Sequence, residues 1–151
     1  MSTPNSRDFI LKVQNTWIQW MDVLETIEAL DCEETPQSLT ILLPSPHHDG
    51  SNSPDWSKRP TYLFNQHAGL EQLWMSSPIS GGRHFICHPE EQNADTHNLH
   101  RVMFFNWVDT RNGEIIEHVL NQELQRYWGI ELQLNHRHKI PEAASMRLRA
   151  D

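Results

Sequence analysis

Cysteine is scarce in this chain. Cys32 and Cys87 are the only two in 151 residues, too few to staple a chain of this length, so a reducing compartment is expected. Neither belongs to a C-x-x-C or Cys–His pattern, which makes them packing residues. Long apolar runs are missing as well: no stretch approaches the roughly 18 residues a membrane helix needs. Met1 to Ser6 carries neither the apolar core of a signal peptide nor an arginine-rich amphipathic transit segment. The expectation is either a cytosolic protein or a mature form whose leader has been removed. Positive charge is in short supply, with 12 Lys and Arg against 20 Asp and Glu and a net charge of −8. Such a field repels a phosphate backbone, which argues against nucleic acid and favours cations or basic protein surfaces as partners. Hydrophobic residues make up only 37% and the mean hydropathy is −0.65, so the polar surplus is expected in loops and tails. No internal repeat is visible.

At this length one domain, residues 1–151, is the natural reading, with enough chain to bury roughly 68–70% of its unfolded surface. Ile10, Val13, Trp17, Trp20, Met21, Leu24 and Ile27 recur at three- and four-residue steps, predicting a helix from Arg7 to Ala29 with one apolar stripe. Strands are predicted near Leu30 to Glu33, Leu39 to Leu43, Thr61 to Asn65, Glu71 to Ser76, Arg83 to Cys87 and Val102 to Val108. Ile116, Val119, Leu120, Leu124 and Tyr127 form one face of a second helix ending at Trp128, with Gly129 as its stop. Residues 44–60 and 88–101 read as loop insertions, and 135–151 as a tail whose first part packs on the helices. Strands joined by turns make an antiparallel sheet, which two terminal helices cover on one face. The fold class is therefore α+β, a two-layer sandwich.

The stretch Gln72-Leu73-Trp74-Met75-Ser76-Ser77-Pro78-Ile79-Ser80-Gly81 resembles the core motif of the frataxin family. Asn106-Trp107-Val108 with Asn112-Gly113 resembles the family's Trp-Val strand and following turn. Gln122-Glu123-Leu124 and Gly129-Ile130-Glu131-Leu132 resemble the end of its second helix. Asp31-Cys32-Glu33 ahead of Ser38-Leu39-Thr40-Ile41 is similar to its first hairpin, and Asn65 to the asparagine closing its third strand. The matches run in order from about residue 7 to 134. Two features depart from the family: the long inserts, and a first helix without a carboxylate between Asp8 and Asp22, where the family carries an acidic ridge.

Strand alternation puts Leu73 and Met75 on one face and Gln72, Trp74 and Ser76 on the other. If the first pair meets the helices, Trp74 stands on the open face. A large aromatic among polar neighbours there is a typical interface anchor; the alternative is that the 44–60 loop or the tail covers it. The resemblance implies that this face contacts a cysteine desulfurase and an iron–sulfur scaffold protein through Asn65, Gln72, Trp74, Ser76, Pro78, Arg83 and His84. His67 stands where many members have glutamine. The implied role is allosteric rather than catalytic, favouring the arrangement in which sulfur reaches the scaffold. No catalytic residue is assigned. The resemblance also implies the mitochondrial matrix, or the cytoplasm for a bacterial protein, and a monomer that iron can assemble further.

Asp22, Glu25 and Glu28 step by three along the predicted helix, and Asp31, Glu33 and Glu34 follow. Their hard oxygens suit weakly held iron; a solvated polar face, or a ridge docking a basic patch, explains the same pattern. A ferroxidase or iron-storage protein is the alternative function, and it needs these carboxylates clustered. Ten histidines include the pairs His47 and His48, His84 and His88, His97 and His100, His136 and His138. No spacing fixes a four-ligand zinc site.

Overall fold

The computed structural model describes residues 5–44, 59–91 and 103–140. Element order is α1 (Asn5–Leu24), β1 (Asp31–Glu34), β2 (Ser38–Leu42), β3 (Thr61–His67), β4 (Gln72–Ser77), β5 (Gly81–Glu91), β6 (Met103–Asp109), α2 (Ile116–Trp128) and β7 (His138–Lys139). Among the described residues, all seven strands form one antiparallel sheet in chain order, β1 to β7. It is the expected α+β architecture, helices layered on a sheet.

The core sits between helices and sheet because α1 and α2 lay their apolar stripes on the same strand face. Val13, Trp17, Trp20 and Leu24 of α1 are buried, as are Ile116, Val119, Leu120 and Leu124 of α2. They meet Tyr62, Phe64, Leu73, Met75, Phe85, Phe105 and Trp107 from the strands, all buried. Trp20 packs edge-on to Phe64 at 5.0 Å, Phe9 to Trp107 at 5.9 Å, and Trp128 to Tyr62 at 6.2 Å. Tyr127, expected on the inner stripe, is instead 51% exposed.

Three further features differ from the sequence-based expectation. Helix α1 stops at Leu24 rather than Ala29. There Thr26 and Ile27 donate to carbonyls three residues back, and the Thr26 hydroxyl bonds the Val23 carbonyl at 2.6 Å. Three-residue bonds tighten and end a helix. Strand β5 continues through residues 88–91, expected as loop, because Cys87 to Glu91 pair with Met103 to Trp107. Pro89 fits there because β4 pairs no further than Ile86, leaving one edge without a partner strand. The remaining insert residues, 45–58 and 92–101, lie outside the described residues. The first part of the tail packs on the helices as expected, with Asn15 Nδ2 donating to the Lys139 carbonyl at 3.1 Å, but Lys139 and His138 also pair with Phe104 and Phe105 as an unexpected strand, β7. Its inward side chain is His138, fully buried. Gly129 behaves as expected: at φ 66° it adopts the left-handed turn that closes α2, a conformation glycine takes without steric cost.

Candidate functional site on the open sheet face

Register decides which side chains share the open face. Trp74 lies opposite Asn65 on β3 and opposite His84 on β5, while its neighbours Leu73 and Met75 are buried beneath the helices. Trp74 is half-buried, and its cover comes from imidazoles. The His67 ring stacks on one side at 4.4 Å and 25°, and the His84 ring at 4.3 Å and 9°. The indole Nε1 donates to Gln72 Oε1 at 2.8 Å. His67 is itself held, its Nδ1 accepting the Leu70 amide at 3.2 Å across the β3–β4 turn. Stacked ring pairs contribute about 0.5–1.5 kcal/mol each. The indole is thus fixed in orientation on a polar surface, with Asn65, Ser76, Pro78 and His84 exposed. In their protonated form, imidazoles flanking an indole add a cation–π attraction.

His67 was not among the expected contacts, yet it completes this stack. Its signal is simple: it lies two residues beyond Asn65 and therefore on the same strand face.

Arg83 does not belong to this face. It pairs with Met75, whose side chain points to the helices, and it is consumed in ion pairs with Asp109 at 3.2 Å and Glu114 at 3.1 Å. Its Nε also donates to Ser80 Oγ at 3.0 Å. Arg83 braces the turns at one end of the sheet, where the Asp109 side chain is only 4% exposed. The resemblance grouped Arg83 with His84, but neighbours on a strand point in opposite directions.

The six candidate iron ligands are all exposed. Because α1 ends at Leu24, Glu25 and Glu28 lie beyond it and lose the helical alignment with Asp22. Asp31 and Glu33 share the outer side of β1, while Glu34 faces the other way, opposite Leu39. Asp31 also pairs with Arg59 at 2.7 Å. Among the described residues no three His, Cys, Asp or Glu side chains converge as a metal site. These acids make up, among the described residues, a diffuse negative field that attracts cations. The field is felt locally: burial first, then the charges of Asp31 and Glu25, push the Cys32 thiol up to about 11. Cys87 is raised mainly by burial. A thiol so shifted is a poor nucleophile at neutral pH.

A set of buried polar residues on the helix side escaped the sequence reading. Glu117 is fully buried and accepts from Trp20 Nε1 at 3.0 Å and bonds His138 Nε2 at 2.8 Å. His138 Nδ1 meets Gln19 Oε1 at 2.7 Å. Glu123 accepts from Tyr62 at 2.8 Å and Ser77 at 2.6 Å, and burial with this carboxylate drives the Tyr62 phenol far above its ordinary range. Glu123 stands three residues after Leu120, on the apolar stripe itself, so its position carried the signal. These groups tie α2 to α1, β3, β4 and β7, and none reaches the open face.

Comparison with known proteins follows the same line. Residues 5–130 match the model of the frataxin-like domain. The solved frataxin of Psychromonas ingrahamii, studied for stability modulation within its family, superposes with a TM-score of 0.60 at 13% identity. That alignment covers 86% of this chain and 97% of the other. It speaks for the fold alone. No curated protein sequence matches.

Proposed function

The chain belongs to the frataxin-like family, an iron-related family, and from that premise we propose that it is an accessory protein of iron–sulfur cluster assembly. Its open sheet face docks a cysteine desulfurase–scaffold assembly and biases it toward sulfur transfer. Iron is cargo, held weakly at Asp22, Glu25, Glu28, Asp31, Glu33 and Glu34. The observation that carries the reading is Trp74, a large aromatic oriented by Gln72, His67 and His84 on the sheet face away from the core. Tryptophans held this way make binding hot spots, because their contact area is large and little ordering entropy remains to be lost. Asn65 and Ser76 supply the polar rim, and Pro78 and His84 are exposed beside it. Arg83 supports it from the far side of the sheet without touching the partner. The bias such docking exerts equals the difference in affinity for the two arrangements of the assembly. The mitochondrial matrix, or a bacterial cytoplasm, is where this role would be exercised. A ferroxidase or storage role requires convergent carboxylates, and the dispersed acids give it less support.

The test is binding to the cognate desulfurase–scaffold pair. Trp74→Ala should weaken binding by at least about 2 kcal/mol, roughly 30-fold, as hot-spot residues do. It should also abolish stimulation of the desulfurase. Unchanged binding and stimulation would remove the reading at its centre.

A further inference from the structure

His136 and His138 are two residues apart, and the fold sends them to different places. His138 turns inward and is hydrogen-bonded at both ring nitrogens. His136 turns toward α2 and meets His118, the ring centroids 4.8 Å apart at 61°. We propose that His118 and His136 form a two-imidazole binding site for a divalent transition metal of the nitrogen-preferring kind, such as Zn²⁺, Ni²⁺ or Cu²⁺. This goes beyond the docking role and depends on no part of it.

The spacing is that of a chelate. Metal–imidazole nitrogen bonds are about 2.0–2.1 Å long, so two rings on one ion have centroids about 4.5–5.2 Å apart for bond angles of about 90–110°. The observed separation lies inside that interval. Neither ring forms a hydrogen bond or ion pair among the described residues, in contrast to His138. Their ring nitrogens are therefore not engaged by other described residues.

The two rings are also positioned in advance by separate anchors. His118 sits on α2 between Glu117 and Val119, both buried. The segment after α2 runs back along the helix, with Leu134 buried and its amide donating to Asn121 Oδ1 at 3.3 Å. Asn121 is nearly one helical turn beyond His118, so the next residues carry His136 to it. Buried His138 fixes the segment on the other side. Little chain entropy remains to be lost when a metal joins the rings, which favours binding. His118 is exposed and His136 half-buried, so water can enter and complete the coordination. No third His, Cys, Asp or Glu converges there among the described residues, which makes the site exchangeable rather than structural. Imidazole ligands without carboxylates select against hard cations, and affinity should follow Zn²⁺ and Ni²⁺ below Cu²⁺.

The experiment is titration of the full chain with Ni²⁺ alone, followed by paramagnetic broadening of backbone amide signals. Saturable binding centred on residues 118 and 136 is expected, with no competition from Mg²⁺ or Ca²⁺. His118→Ala and His136→Ala should each weaken it by at least about tenfold, and the double variant little further, since one remaining imidazole cannot chelate. His118→Gln serves as a second variant, and metal-free urea midpoints show whether each variant folds. Binding within about twofold of the parent in both single variants overturns the proposal. So does broadening centred on other histidines, or the lack of saturable binding near those two residues up to about 1 mM Ni²⁺.

Discussion

The two faces of the sheet treat tryptophan in opposite ways. On the helix side, Trp17, Trp20 and Trp107 are at most 1% exposed and packed within the core, where Trp20 and Trp107 also donate to buried Glu117 and Thr16. On the open side, Trp74 is half-buried, and imidazoles and an amide surround it. Both arrangements fix a ring, but they do so for different ends. The covered face removes apolar surface from water and stabilises the fold. The open face holds an aromatic in place while leaving its edge for something else to cover. Substitutions on the two faces should therefore separate stability from recognition.

The largest effect is expected on the covered face. Trp17→Ala leaves a cavity under Phe64 and should cost about 4 kcal/mol of unfolding free energy, read from urea denaturation. Trp74→Ala should cost about half of that or less, since it gives up two ring contacts and one hydrogen bond without opening the core. Equal losses would erase the distinction between the faces. His138→Ala comes next, at about 3 kcal/mol, because it leaves the buried Glu117 carboxylate with the Trp20 indole as its only hydrogen-bond partner among the described residues. It should also speed amide exchange in β6, whose edge β7 covers. A loss below about 1 kcal/mol would mean that the Glu117–His138 contact is not what holds β7.

Arg83 sharpens the comparison. Its ion pairs with Asp109 and Glu114 place it with the covered face, although His84 beside it in sequence belongs to the open one. Arg83→Ala should lower stability by about 1–2 kcal/mol by leaving nearly buried Asp109 without its partner, and change partner affinity less than about twofold. A large loss of affinity with intact stability would return Arg83 to the docking surface.

What could be read in advance, and what could not, follows from the same geometry. The α1 stripe and the alternation through Leu73, Trp74 and Met75 are periodic over several residues, and periodicity survives without knowledge of partners. Two-residue β7 has no period; it exists because His138 finds Glu117, 21 residues earlier. The end of α1 was hidden because Ile27 extends the apolar spacing past Leu24, where the turn bonds of Thr26 and Ile27 prevail. Residues 88–91 are polar enough to read as loop, yet they pair with β6, His88 and Pro89 are exposed, and Asn106 donates to Glu90 across the strands at 2.9 Å. Within the candidate site, Asn65, Gln72, Trp74, Ser76 and His84 followed from alternation plus resemblance. Arg83 was grouped with them by resemblance, although alternation turns it to the other side of the sheet, opposite Met75. Glu117 and Glu123 were assigned no role, because their partners, Trp20, Tyr62, Ser77 and His138, come from distant parts of the chain.

The smallest effect concerns Cys32, where the acidic edge of the open face meets the core. Its thiol packs against the core while Asp31 and Glu25 lie close enough to oppose a thiolate, which raises it from the ordinary 9.0 to about 11. The folded chain therefore keeps this proton after the unfolded chain has lost it. Cys32 contributes its full stabilisation below about pH 9 and loses it as pH rises through about 11. Urea midpoints should accordingly fall between pH 9 and 10, before the phenol of unfolded Tyr62, ordinarily at 10.0, adds a loss of the same sign. Cys32→Ser should flatten that early fall without abolishing it, since Cys87 is raised as well. At pH 8, alkylation of folded Cys32 should run roughly tenfold or more slower than in the unfolded chain, because the thiolate is the reactive form. An unaltered slope in Cys32→Ser, together with rapid alkylation, would show that neither burial nor the neighbouring acids raise the Cys32 thiol.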